Sequence, residues 1–250
     1  MTTAVKTSDA TAIPILEFGR AWMSSPAVQA RAAELGLAPG FSFWVNGRAG
    51  ALGDVGHDVA ASAIGFMAPD LVQEHWDSRP SHVTPRRAAM EYAAVAAAWG
   101  RETVADVPIA DLERIAELGY RVADASLPSC GALFAGWRAL DRPDDPAGSA
   151  THALQVLREM RGGAHLSAVA AAGLTPHHAI ISFTADPIRG GAKGAERFGW
   201  TAPHPEPDEA AKARAEEMTT IAACGGYEAL SEAERSEFVE LVLAAREAIG

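Results

Sequence analysis

The sequence predicts a mainly α-helical, multi-helix chain, and three observations carry that prediction. Hydroxyl–proline starts recur at Ser25-Pro26, Thr84-Pro85 and Thr175-Pro176, each placing an N-cap side chain before a proline at the first helical position. Glycines follow the periodic stretches at Gly36, Gly100, Gly119, Gly173 and Gly225-Gly226, where helix stops are expected. Alternating β-branched runs are nearly absent. The stretch Ala179–Thr184 has strand-like composition, but it follows a helix start too closely for a strand to be preferred.

In order along the chain, residues 1–13 are polar and read as a flexible tail. Residues 14–186 read as a helical core domain. Within it Leu154–Val169 is a helix, and the proline- and aspartate-rich Asp141–Ser149 is a loop. Residues 187–207 read as a long loop holding the local basic cluster Arg189, Lys193 and Arg197; loops of this length in compact proteins are often functional. Residues 208–250 read as a C-terminal helical hairpin packed on the core, joined at Cys224-Gly225-Gly226. Its second helix opens with the capping box Ser231 and Glu234. An internal echo points to duplication of a helical unit. Arg48 and Arg161 each precede small residues, an alanine-rich helix and then a corner, Phe66–Asp70 or Phe183–Pro187. Such a duplication predicts that the two arginines face each other.

Composition excludes several classes. The chain has 250 residues, 48 % hydrophobic and 21 % charged, as in ordinary globular proteins. A formal charge of −11 repels phosphate backbones and disfavours nucleic acid as a partner. Cys130 and Cys224 have no metal-site spacing and fit a reduced, cytoplasmic protein. No apolar run reaches the ~20 residues of a membrane span, and the first residues lack a signal-peptide core. The alanine-rich Tyr92–Trp99 leaves a homodimer open.

The candidate site centres on LQVLREMRGGAHLSAV. Arg158, Arg161 and His165 lie at i, i+3 and i+7 on one helix face, and Glu159 lies about 100° round the helix from Arg158. Such groups among Ala, Leu and Val are costly to bury unless they pair with one another or with a ligand. Gly162-Gly163 weaken a helix and point to close approach of a backbone or ligand. Arg48, Arg158 and Arg161 are candidate substrate-binding groups for a carboxylate or phosphate. His165 and Glu159 are candidate catalytic, proton-handling groups. Trp44 sits one turn before Arg48, where a cation–π contact is possible in a helix, and Phe66 is a further candidate contact. Asp54, His57 and Asp58 have conceivable metal-ligand spacing, but aspartates at a helix start stabilise the dipole without a ligand, so neither a metal nor a cofactor is expected. No Walker A, GxGxxG, HExxH or GxSxG motif is present.

The segments GRAGALGDVGHDVAASAIGFMAPDLV, LREMRGGAHLSAVAAAGL and RFGWT, in that order over residues 15–201, resemble an actinobacterial family labelled helix-turn-helix proteins. Its members include SalK- and EvbL-like proteins near antibiotic gene clusters. The family's second motif looks like LREHRGDGH. Here Arg158, Glu159, Arg161, Gly162 and His165 match, while Met160 replaces a histidine and Gly163 an aspartate. The resemblance implies an all-helical fold, a winged-helix-like C-terminal part that is degenerate here, and a link to specialised metabolism. Together these readings lead to an expectation: a pocket for a small anionic or polar metabolite, serving a cofactor-independent isomerase, lyase or cyclase. The alternatives are a non-catalytic antibiotic-binding protein and a transcriptional regulator. Acidic Glu206, Asp208, Glu209, Glu216 and Glu217 weigh against the last.

Overall fold

The computed structural model describes residues 2–183 and 190–250, and among these it contains thirteen α-helices and no strand. In order they are α1 (Ala4–Met23), α2 (Pro26–Glu34), α3 (Ser42–Ala49), α4 (His57–Ile64), α5 (Pro69–Asp77), α6 (Pro85–Thr103), α7 (Ile109–Ala125), α8 (Ala132–Arg138), α9 (Pro146–Ala171), α10 (Pro176–Ser182), α11 (Gly191–Arg197), α12 (Glu209–Ala223) and α13 (Glu232–Glu247). The predicted starts at Pro26, Pro85 and Pro176 are present. So is the reciprocal Ser231–Glu234 capping box.

α9 is the axis of the molecule. It opens at Asp145, whose carboxylate caps the backbone N–H of Gly148, and it runs for 26 residues, about 39 Å at 1.5 Å per residue. Buried residues lie on every side of it between Gly148 and Met160, as expected of a helix enclosed by others. α1, α6, α7, α8 and α12 all pack on it. Its polar residues therefore enter the molecule's interior or its inter-helix seams.

Several expectations are corrected. The first 13 residues are not a loose tail, because Ala4 onward is helical. α1 buries Ala4, Thr7, Ser8, Thr11, Ala12, Ile15, Phe18 and Trp22, a helical stripe disguised by hydroxyls. Two of those hydroxyls are satisfied locally: Thr7 Oγ1 donates to the Thr3 carbonyl and Thr11 Oγ1 to the Thr7 carbonyl. Gly100 and Gly119 are not stops. They lie inside α6 and α7, where α9 comes too close for larger side chains: a Cβ on Gly100 would sit 2.2 Å from Thr151 Oγ1. The loop 141–149 ends earlier than expected, at the Asp145 cap. Within 187–207, residues 191–197 form α11, whose Ala195 is buried against Ile180 and Ile181. Ala179–Ser182 belongs to α10 rather than to a strand. Residues 184–189, including Arg189 and most of the second echo corner, lie outside the described residues.

The C-terminal helices meet the core from separate sides. α12 packs on α9, while α13 packs on α1 and α7, joined through a 3-10 turn at 225–229. The echo segments occupy unlike elements: Arg48 ends an eight-residue helix, whereas Arg161 lies inside the long α9.

Candidate functional site

The predicted polar residues of α9 divide into two places. The first is a buried ion cluster. Arg48 and Glu159 form a parallel fork, Nε to Oε1 at 2.9 Å and Nη2 to Oε2 at 2.7 Å. The Arg48 side chain is 8 % exposed and that of Glu159 1 %. Gln155 Nε2 donates to Glu159 Oε1 at 2.6 Å, and Arg158 Nη1 donates to the same oxygen at 3.2 Å. Trp44 lies under the Arg48 guanidinium, 4.3 Å from ring centre to Cζ, so the predicted cation–π contact exists. The Arg158 stem crosses Gly19 of α1, where a Cβ would fall 2.5 Å from its Cδ. Trp22 Nε1, Tyr92 Oη and Gln155 Oε1 are buried in this region with no hydrogen-bond partner among the described residues.

Burial by itself would raise the Glu159 carboxyl. The charge and hydrogen bonds of Arg48, the charge of Arg158 and the Gln155 bond together outweigh it and hold the group below the usual carboxylate range. A carboxylate so tied is a weak base, and the geometry makes it the counter-ion that lets two arginines enter the interior. Tyr92 moves the other way, burial pushing its hydroxyl well above the ordinary tyrosine value.

The second place lies on the α9–α12 seam. Arg161 points away from Arg48; its Nη2 is 3.4 Å from Glu216 Oε2 and its Nη1 3.5 Å from Thr220 Oγ1. His165 Nδ1 is 2.8 Å from Thr219 Oγ1, and Thr219 spends its hydroxyl hydrogen on the Ala215 carbonyl at 2.6 Å. Nδ1 therefore carries the ring hydrogen and Nε2 the lone pair. Burial, with the Arg161 charge, lowers the His165 value and favours the neutral ring, against the Glu216 carboxylate, which favours the charged one. Phe66 packs on His165 with ring centres 5.4 Å apart.

Arg161 also floors a cleft of about 290 Å³. Val5 and Asp9 of α1 form one wall, one helical turn apart. Glu216, Glu217, Thr220 and Ile221 of α12 form the other. Behind Arg161 a water-sized void of about 10 Å³ touches Ser8, Thr11, Met160 and Tyr227. The two walls are tied by Ser8 Oγ, which donates to the Thr220 carbonyl, and the Thr11–Tyr227 hydroxyl pair ties α1 to the 225–229 turn that follows α12.

The structure thus brings Trp44, Arg48, Arg158 and Glu159 together. It places Phe66, Arg161 and His165 elsewhere, so the two echo arginines do not face each other. Glu159 and His165 do not meet as an acid–base pair. His57 pairs with Asp77 at 3.1 Å. Among the described residues no group of three or more His, Cys, Asp or Glu side chains is placed to hold a metal ion. His177 stacks on Trp200 and its Nε2 lies 2.9 Å from His204 Nδ1, a contact between elements that adjacent-residue spacing did not reveal.

Asp9 and Thr220 escaped the sequence reading. Asp9 fell in the segment read as a tail, and the hydroxyl-bearing stripe of α1 was the signal that would have recovered it. Glu216 and Glu217 entered only as an argument against DNA, because nothing in the sequence placed α12 beside Arg161.

The profile of the helix-turn-helix family matches residues 17–207, and the chain belongs to that family. No curated protein and no solved structure matches it. The match spans α2 to α11 and the last third of α1, and covers both the Arg48–Glu159 pair and Arg161. At the two positions singled out in the second motif, Met160 Sδ accepts a hydrogen bond from Ser126 Oγ at 3.0 Å in the interior. Gly163 lies against the 128–131 turn, where a Cβ would come 1.9 Å from the Cys130 carbonyl oxygen, so no aspartate side chain fits there in this packing. Gly162 faces open space. Among the described residues no helix is long and apolar enough to cross a membrane.

Proposed function

We propose that the protein binds a small polar metabolite in the cleft between α1, α9 and α12, with Arg161 as the anchoring group. The observation that carries this reading is a cleft of about 290 Å³, at the small end of the ligand-site range, floored by an arginine whose neighbours stand at 3.4 and 3.5 Å. Those distances exceed the usual 2.7–2.9 Å of charge-assisted bonds, so a ligand acceptor competes on good terms for the guanidinium. The buried Arg48–Glu159 cluster anchors α3 to α9 and takes no part in recognition.

Turnover is a separate matter. His165, one helical turn from Arg161 on the same seam though outside the cleft lining, is the candidate base for a cofactor-independent isomerase, lyase or cyclase. A non-catalytic binding protein uses the same cleft without it. The test is a ligand-observed NMR screen of small carboxylates, amines and amino acids against wild type and Arg161→Ala. Loss of the charge-assisted contacts should weaken hits by roughly tenfold to a hundredfold while helicity is unchanged. Hits unaffected by Arg161→Ala, or none at all, overturn the reading. Product signals in the same tubes separate enzyme from binder.

A regulator is the second reading, favoured by the family's description. Charge opposes it, since α12 carries Glu209, Glu216 and Glu217 and α13 carries five further glutamates. A mobility-shift assay at low salt on mixed-sequence duplex decides it.

A further inference from the structure

We infer that the cleft selects a compact zwitterion, a carboxylate and an ammonium group joined by a short apolar stem; this rests on the cleft reading above. The lining has one guanidinium, Arg161, and three carboxylates, Asp9, Glu216 and Glu217. Glu216 already faces Arg161. Among the described residues, Asp9 and Glu217 make no ion pair and no side-chain hydrogen bond, though they stand on opposite walls of the same cleft.

A simple anion docking on Arg161 would meet two carboxylates that no cation among the described residues balances, on walls open to solvent, so their repulsion is screened but not removed. A simple amine would satisfy those carboxylates but compete with Arg161 itself. A zwitterion answers both: its carboxylate takes the Arg161 fork, and its ammonium lies between the Asp9 and Glu217 side. Val5 and Ile221, 42 % and 56 % exposed, supply apolar surface on the two walls for the connecting methylenes. Thr220 Oγ1 adds a donor or acceptor beside Arg161. The wall residues Asp9 and Glu217 are exposed, so replacing them leaves the core intact.

The test uses the full chain and three probes of matched length: 6-aminohexanoate, hexanoate and hexylamine, titrated by NMR and calorimetry. 6-Aminohexanoate should bind about tenfold or more tighter than either monopolar probe, one charge-assisted contact being worth about that factor. Glu217→Gln and Asp9→Asn should each weaken 6-aminohexanoate and leave hexanoate unchanged or improved. Arg161→Gln should reverse the preference toward hexylamine. Hexanoate binding as tightly as 6-aminohexanoate, with both lost in Arg161→Gln, overturns the zwitterion selection while leaving the cleft in use. If none of the three probes binds, the selection is likewise overturned, and the broader screen with Arg161→Ala judges the cleft independently.

Discussion

Replacing Glu159 by glutamine tests the physical claim at the centre of the fold. The substitution keeps the side chain's shape and one carbonyl acceptor but removes the charge opposite Arg48. Both partners are nearly inaccessible, 8 % and 1 % exposed, so water cannot take over. Removing one member of such a pair strands the other charge in the interior, at a cost of about 3–5 kcal/mol. Whole domains are stable by only ~5–15 kcal/mol, so the loss is a large fraction of the total. With a urea slope of ~3 kcal/mol/M for a chain of this size, the midpoint should fall by roughly 1–1.7 M. Arg48→Met combined with Glu159→Gln removes both charges of the fork. The double variant should recover at least ~1 kcal/mol relative to the sum of the singles, because the two sites are coupled. Urea unfolding followed by circular dichroism measures all four corners. A loss below ~1 kcal/mol in Glu159→Gln, or strict additivity in the double, would refute the argument that Glu159 is a structural counter-ion.

Two further predictions concern packing and pH. Gly162→Ala should stabilise by up to ~1 kcal/mol, since that position is open and alanine favours the helix; Gly163→Ala should destabilise by about 1–3 kcal/mol, since its Cβ collides with the Cys130 carbonyl. Thermal melts of the pair check the contrast, and equal effects would contradict the close approach of the 128–131 turn. His152 is 4 % exposed, and burial, followed by the Arg142 charge, depresses it to about 4. Because the unfolded ring titrates near 6.5, the unfolded state binds the proton first. The neutral ring's contribution is therefore full above pH ~6.5 and is lost as pH falls toward 4, by about 3 kcal/mol in all. His152→Asn should remove this part of the acid instability, read as the difference in stability between pH 7 and pH 4.5. An undiminished acid loss in the variant would show that His152 is not its source.

How much of this was legible in the sequence follows from which signals are local. Ser25-Pro26 was readable from its proline alone, since the Ser25 side chain makes no cap bond, whereas the starts at Thr84-Pro85 and Thr175-Pro176 and the box at Ser231–Glu234 were readable because a cap satisfies donors within three residues of itself. Gly36 and Gly173, both at positive φ, were readable as stops for the same reason. Gly100 and Gly119 misled because a glycine required by a neighbouring helix looks the same as one required by a turn. The stripe of α1 was hidden because threonine and serine count as polar, yet Thr7 and Thr11 return their hydroxyls to their own backbone and Ser8 gives its hydroxyl to the Thr220 carbonyl. The arginine-rich stretch of α9 was recognised as important, but its spacing did not tell which neighbour each side chain meets.

By itself, then, the chain's local chemistry determined that it is helical, where four of its helices begin, and that the charges of residues 158–165 needed partners. Only the tertiary structure decided who those partners are. Glu159 and Arg161 are two residues apart on one helix, yet α3 supplies Arg48 to the first and α12 supplies Glu216 to the second. Pairing energies depend on distances set by the packing of elements remote in sequence, here 111 residues apart for Arg48 and Glu159, and no periodicity encodes them.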